Sequence, residues 1–332
     1  MPKNRPTIYD VASASGVSTA TVSRVLNGSS RVNEETRTRI MEGIERLKFV
    51  PKAEARARAL RSNFRIGIMV PFFTAPSFVQ RLRGVAAALP TNYELVIYTI
   101  NSTNQLNGYL ASLPLTGNLD GLVIMSLPIN ETQVQHLIRN QLETILIEYP
   151  HSGFCSVEID DINGGRMAAK YLVEKGHRRI AFLGDTNLPE YAIHPISQRL
   201  VGFRQQLADL DIPLPDEYIC MASYSLDQTR VMATKLLALP NPPTAIFAAT
   251  DLQAMSVIMV ARQMGLRIPE DLAVMGFDDL DMAELMDLTT VRQRLDESGR
   301  VAIDLLLGRL NHPDRSLQHV QLPLSIVERK TA

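Results

Sequence analysis

Two cysteines, Cys155 and Cys220, stand in a chain of 332 residues. They are too few for a disulfide framework, and their neighbours Phe154 and Ile219 to Met221 read as buried chain, so both are expected to be structural thiols. The six histidines show no HxxxH spacing and the cysteines no CxxC, which leaves a metal site without its usual sequence support. Neither GxGxxG nor the phosphate-binding GxxxxGK run occurs. Gly67, Gly121, Gly184 and Gly276 stand singly within or at the ends of apolar runs, so no nucleotide cofactor is implied. There is no serine elbow, and the only adjacent carboxylates at a strand end are Asp278 and Asp279, so the chain does not read as an enzyme. The start, MPKNRPTIYD, lacks the apolar stretch of a signal peptide, and no later apolar run reaches the length of a membrane span. A cytoplasmic protein without cofactor is the expectation.

What is present is a globular composition, 45% hydrophobic and 21% charged, in a length that suggests two or three domains. The net charge of -1 hides an asymmetry: residues 1–63 hold 12 Lys/Arg against 6 Asp/Glu, and the remainder is acidic. The basic end is where a polyanion would bind.

That end has the pattern of three short helices. Ile8, Val11 and Ala12 recur at helical spacing, Thr7 and Asp10 suit a capping box, and Gly16 ends the first helix. In 17-VSTATVSRVLNG-28, Ser18 caps a second helix whose Val22, Val25 and Leu26 form the inward stripe. Thr19, Ala20, Thr21, Ser23 and Arg24 lie near or on its outward side. A third helix fits 33–50, capped by Asn33, with Ile40, Ile44 and Leu47 inward. A second helix with short polar side chains at its N-terminal end is suited to a major groove, where Arg24 can meet a base edge or a phosphate.

The run 7-TIYDVASASGVSTATVSRVLNGSSRVNEETRTRI-40 resembles the DNA-binding headpiece of the lactose/galactose repressor family nearly position for position. The resemblance implies that Thr19 and Ala20 choose the operator sequence and that Thr21 to Arg24, Ser23 included, anchor the helix. It places Thr7, Asn27, Thr36 and Arg37 at phosphates or at the turn. The family follows its headpiece with Pro-Asn-Ala-x-Ala-Arg-x-Leu, a hinge that wedges its leucine into the minor groove. Here 51-PKAEARARALRS-62 has Lys52 for the Asn and Arg58 in the leucine slot, with Leu60 two residues later. Either Leu60 wedges from a shifted hinge helix, or Arg58 inserts as a minor-groove cation.

From Ile66 onward eight apolar runs, at 66–70, 95–100, 121–126, 144–149, 179–184, 218–222, 245–250 and 272–277, alternate with amphipathic segments. This is the pattern of parallel sheets covered by helices, arranged as two similar subdomains, with a late helix over 296–310 returning across them. The expected organisation is a headpiece over 1–50, a hinge over 51–64 and a doubly wound core over 65–332.

Ligands of such sheets bind beyond the carboxyl ends of the strands. Those ends carry Phe72, Phe73 and the nearby Phe78, then Glu148, Tyr224, Thr250 and Asp278: aromatic faces and polar groups suited to a sugar. The blocks 175-KGHRRIAFLGD-185, 199-RLVGF-203, 268-IPEDLAVMGFDD-279 and 289-TTVRQ-293 are similar to the effector-binding core of the same family, itself similar to periplasmic sugar-binding proteins. The resemblance implies effector contacts from Arg199, Thr250, Asp278 and Gln293, stacking by Tyr224, and an opposite wall of Glu148 and Phe73. The function implied is a homodimeric repressor of a pseudo-palindromic operator in double-stranded DNA, answering to a small effector, a carbohydrate. The alternative is a global regulator of the same fold whose main signal is a partner protein.

Overall fold

Thr7 opens the first helix, α1 (Ile8–Ser15), where its backbone N–H donates to Asp10 Oδ2 at 2.7 Å, and Gly16 closes it at φ 65°. α2 (Thr19–Leu26) starts where the Thr21 N–H donates to Ser18 Oγ at 3.2 Å, and α3 (Glu34–Leu47) where the Thr36 N–H donates to Asn33 Oδ1 at 2.9 Å. Val11, Ala12, Val22, Val25, Val32 and Ile40 form a core of their own between these helices. Each large apolar side chain contributes about 1.5–3 kcal/mol before chain entropy is subtracted, so this is a small and marginal core. The computed structural model describes residues 7–26, 32–47, 64–186, 189–193, 195–223 and 225–332. Asn27, Arg58, Leu60, Tyr224 and the segment 51–63 lie outside them.

The remaining chain forms two six-stranded sheets. The first orders as β11-β5-β4-β3-β1-β2 and the second as β12-β10-β9-β8-β6-β7. In sequence these are β1 (Phe64–Val70), β2 (Tyr93–Thr99), β3 (Gly121–Met125), β4 (Glu143–Ile147), β5 (Cys155–Glu158), β6 (Ile180–Thr186), β7 (Ile219–Ser223), β8 (Ala245–Ala248), β9 (Ala273–Asp278), β10 (Thr289–Arg292), β11 (His319–Gln321) and β12 (Ser325–Val327). The first sheet is parallel throughout; in the second, only β12 runs antiparallel, against β10. Unbroken apolar runs such as Gly121–Met125 are buried on both faces, which is why they do not alternate with polar residues.

Helices cover both faces of each sheet. On the first lie α4 (Pro76–Ala88), α5 (Thr103–Thr116), α6 (Glu131–Arg139) and the late α12 (Leu295–Asn311). On the second lie α7 (Asp161–Glu174), α8 (Pro195–Asp209), α9 (Leu226–Leu237) and α10 (Asp251–Gln263), with the short α11 (Asp281–Leu285) nearby. The chain passes between the halves three times, at 159–160, 293–294 and 322–324. Eight strands were expected; β5, β10, β11 and β12 are additional, each three or four residues long.

Two helix pairs pack closely enough to exclude side chains. A Cβ on Gly84 would lie 1.8 Å from Asp296 O, and one on Gly202 1.8 Å from Ile162 O. These contacts dock α4 on α12 and α8 on α7, and they fix the backbone of the arginine three residues before each glycine.

Candidate functional site

The outward side of α2 carries exposed Ala20 and Arg24, with Thr19, Thr21 and Ser23 half-buried. Ser18, exposed, shares a 2.9 Å hydrogen bond with the Thr21 hydroxyl, so cap and first turn are stiffened together. The Thr7 hydroxyl donates to Asp10 at 2.8 Å, and Thr36 and Arg37 are half-buried at the start of α3. On α2, Ala20 and Arg24 stand in solvent while Val22 and Val25 are buried in the core of the three-helix unit.

A cleft of about 670 Å³ opens between the two halves of the core at the carboxyl ends of their strands. Phe72, Phe73, Phe78, Glu148, Arg199, Thr250, Asp278 and Gln293, all expected from the sequence, line it together. Phe72 and Phe78 meet edge to face with centroids 6.0 Å apart, giving the first half an aromatic wall. Thr250 serves the scaffold as well: its hydroxyl caps α10 by accepting from the Gln253 N–H at 3.2 Å.

The floor of the cleft is a buried polar chain that runs from one half to the other. In the second half, Arg199 Nε donates to Asp161 at 2.8 Å and Nη1 to the Ala249 carbonyl at 2.6 Å, while its guanidinium lies 3.6 Å from the Phe277 ring centroid. Asp278 stands 3.9 Å from Arg199 and accepts from Gln293 Nε2 at 2.5 Å. Gln293, in the second crossing, then accepts from Arg81 Nη2 at 3.3 Å. In the first half, Arg81 pairs with Glu148 and its Nε donates to Ser298 at 3.1 Å; Glu148 also accepts from Ser126. One side-chain amide therefore joins both halves beneath the ligand space.

Charge is distributed unevenly along this chain. Burial pushes the Glu148 carboxyl up, but Arg81 and the Ser126 hydroxyl outweigh it and hold the group below its ordinary range. Asp278 has no such direct partner: burial drives it up to about 8, with Arg199 opposing and Asp251 adding to the rise. Burial also raises Asp161, against the pull of Arg199, and takes Asp185 and Asp251 to about 6. Ser126, Glu148, Asp278 and Arg294 adopt φ of 52°, 69°, 129° and 54°. Left-handed backbone of this kind costs side-chain-bearing residues roughly 1–3 kcal/mol each, and here it gathers around the cleft floor.

Arg81, Ser126, Asp161, Asp185 and Gln253 belong to the site or its support and were not singled out by sequence reasoning. A signal for Arg81 was present. The strand registers make Ser126 equivalent to Thr250 and Glu148 to Asp278, and 81-RLRGV-85 on α4 repeats 199-RLVGF-203 on α8. Likewise 299-GRVAI-303 repeats 165-GRMAA-169 on the helices docked against them. Aligning the chain with itself would have paired Arg81 with Arg199. Among the described residues there is no cluster of three or more His, Cys, Asp or Glu that could hold a metal, and no helix long and apolar enough to cross a membrane.

A two-walled cleft of strand ends, linked by three crossings and preceded by a helix-turn-helix unit, defines a ligand-cleft regulator with a DNA-binding headpiece. Residues 7–52 match the model of bacterial regulatory proteins of the lacI family, and residues 169–332 match the periplasmic binding protein-like domain. Catabolite control protein A of Priestia megaterium is 32% identical, over 98% of this chain and 98% of its own. The ribose operon repressor of Escherichia coli strain K12 is 30% identical, over 98% and 99%. A solved transcriptional regulator, CelR in complex with cellobiose, superimposes with a TM-score of 0.69 at 28% identity, covering 99% of this chain and all of that one. The chain belongs to the LacI family of bacterial regulatory proteins, and it is a DNA-binding regulator, not an enzyme.

Proposed function

We propose that this protein is a ligand-responsive repressor in which a small carbohydrate held in the cleft alters the affinity of a homodimer for a pseudo-palindromic operator. The observation that carries the reading is the Gln293 amide. It bonds to Asp278 of one half and Arg81 of the other directly beneath a cavity of about 670 Å³, so a ligand touching this floor acts on the contact between the halves. Coupling requires that the ligand bind the two arrangements with different affinity. The aromatic wall and buried polar floor suit the CH faces and hydroxyls of a sugar. A cleft of this size lined by side chains of both halves favours a small effector over a docked protein as the signal. The cellobiose held by CelR and the name of the ribose operon repressor support the same class.

In this reading residues 1–50 are the headpiece, 51–64 the hinge and 65–332 the effector and dimerisation core. Thr19 and Ala20 read bases, Arg24 contacts a base edge or phosphate, and Thr7, Asn27, Thr36 and Arg37 set the headpiece on the backbone. Leu60 or Arg58 enters the minor groove. The exposed face of α2, with its small side chains around Arg24, supports this assignment.

The test is a thermal-shift screen of pentoses, hexoses, disaccharides and nucleobases, followed by operator binding with and without each hit. A sugar that both raises Tm and changes operator affinity is the expected result; stabilisation only by nucleobases would overturn the carbohydrate reading. Arg24→Ala is expected to weaken specific binding by about 1–3 kcal/mol, and exchanging Thr19 and Ala20 to change the preferred operator instead. Leu60→Ala abolishes DNA bending if Leu60 is the wedge. If Arg58 inserts, Arg58→Ala lowers the salt dependence by about one counterion with little change in bend.

A further inference from the structure

Asp185 and Gln253 line the cleft on the second half, and the polar chain across its floor does not use them. Asp185, next to last in β6, is buried and accepts from Gln253 Nε2; no ion pair to it is made among the described residues. Gln253 lies in the first turn of α10, held there by the Thr250 cap, and is 4% exposed. Its Oε1 is buried without a hydrogen-bond partner among the described residues. A buried carbonyl oxygen left bare costs free energy comparable to a lost hydrogen bond, and a buried carboxyl held by a single amide adds to that cost. The pair has acceptors to spare and lacks a donor. Both residues line the cleft, and the last torsion of a glutamine is soft, so the carboxamide can turn to present Oε1 to an arriving donor, freeing Asp185 to accept as well, without moving α10.

We propose that Asp185 and Gln253 form a subsite of the cleft that takes a hydrogen-bond donor of the effector, a hydroxyl or an ammonium. The inference rests on the effector reading above and sharpens it. The effector presents donors toward the strand end of β6 as well as toward the Arg81 to Arg199 floor, and loss of that donor leaves Gln253 bare again. Discrimination against analogues lacking such a group is the usual consequence of a buried polar site. Burial raises the Asp185 carboxyl to about 6, so near neutral pH the pair can either share a proton with a hydroxyl or pair with a cation.

Asp185→Asn in the full-length protein tests this, because the asparagine amide can itself donate to Gln253 Oε1 while still accepting from Nε2. The subsite would then satisfy itself. Without ligand, the variant is expected to melt about 2 °C higher than the native protein. Affinity for whichever of D-ribose, cellobiose, D-glucose and D-glucosamine binds the native protein, measured by calorimetry, is expected to fall by about tenfold or more. A preference for D-glucosamine over D-glucose that Asp185→Asn abolishes identifies the donor as an ammonium; equal binding of the two identifies a hydroxyl. Unchanged affinity in Asp185→Asn overturns the subsite while leaving the sugar reading intact. If none of these sugars binds the native protein, the sugar reading is what fails, and the melting arm decides the subsite. A lower Tm in Asp185→Asn then shows that the pair merely holds β6 to α10 and overturns the proposal, whereas a higher Tm upholds it.

Discussion

The two halves of the core share a strand order, a helix-docking contact and an arginine at the same position, yet their buried charges are settled differently. Arg81 in the first half meets Glu148 directly and bonds to Ser298, so its pair is closed. Arg199 in the second half is drawn to Asp161 and to a backbone carbonyl, and stands 3.9 Å from Asp278, the residue equivalent to Glu148. The carboxyl without a direct cation is the one that holds its proton, and the half that contains it also holds the bare Gln253 oxygen. A repeated fold thus fixes where polar groups sit, and one added hydrogen bond decides whether they are finished or open. The first half reads as a prebuilt apolar and ionic wall, the second as the wall with groups still to be matched.

The largest expected effect breaks this asymmetry at equivalent positions. Glu148→Gln leaves the Arg81 guanidinium buried against a neutral amide and is expected to cost about 3–5 kcal/mol in denaturant unfolding. Asp278→Asn keeps the acceptor for Gln293 and replaces the raised carboxyl with a neutral amide of the same shape that need not take up a proton on folding, so it is expected not to lower stability at neutral pH. Equal losses would mean that the halves do not differ in charge state.

Next in size is a test of what the halves share. Gly84→Ala and Gly202→Ala each drive a methyl to 1.8 Å from a backbone carbonyl oxygen, so both should lose about 1–3 kcal/mol, and by similar amounts. A variant that tolerates one and not the other would show that only one helix pair is rigid.

The last test is pH dependence, where the halves act with opposite sign and in different ranges. Asp278, held at about 8, and Asp185 and Asp251, at about 6, keep protons that the unfolded chain releases near 3.8. The folded state binds more protons throughout that window, so their contribution is fully present below the unfolded pKa and is lost as pH rises toward 8. Glu148, held low, contributes stability that is present at neutral pH and lost on acidification. Between about pH 5 and about pH 8 the unfolding free energy is therefore expected to fall in the native protein and equally in Glu148→Gln, whose carboxyl titrates below that range, whereas Asp278→Asn loses the part of the decline that runs toward pH 8.

Much of this architecture could be read from the residues alone. The six central strands β1, β3, β4, β6, β8 and β9 announce themselves because burial on both faces demands unbroken apolar runs, and the headpiece because caps and stripes coincide at Thr7, Ser18 and Asn33. β10 was hidden by its composition: Thr289 and Thr290 are fully buried, but their hydroxyls are matched by the C-terminal segment and by Asp251, so polar residues serve as core. β11 and β12 are three-residue edge strands without full burial, and leave no periodic trace. At the cleft, strand-end position found Glu148, Thr250 and Asp278. Arg81 was missed because an arginine on an amphipathic helix ordinarily lies in water, and only the Glu148 partner brought by β4 turns it inward. Asp185 and Gln253 have no local signature at all, since their pairing joins β6 to a helix 68 positions along the chain.

The three crossings also govern the order in which the molecule can be completed as it leaves the ribosome. Neither half is a continuous stretch. The first half's sheet gains its outer strand β11, and the face over β3, β4 and β5 its cover α12, only after nearly the whole second half has been made. Until then the nascent chain carries an open sheet edge at β5 and an uncovered apolar face, the kind of surface that chaperones hold and that aggregates when they do not. A regulator built this way cannot be trimmed to one half, nor have one half exchanged as a single cassette. Any chimera must be cut at all three crossings, the second of them at Gln293, and so would divide its cleft floor between two parents.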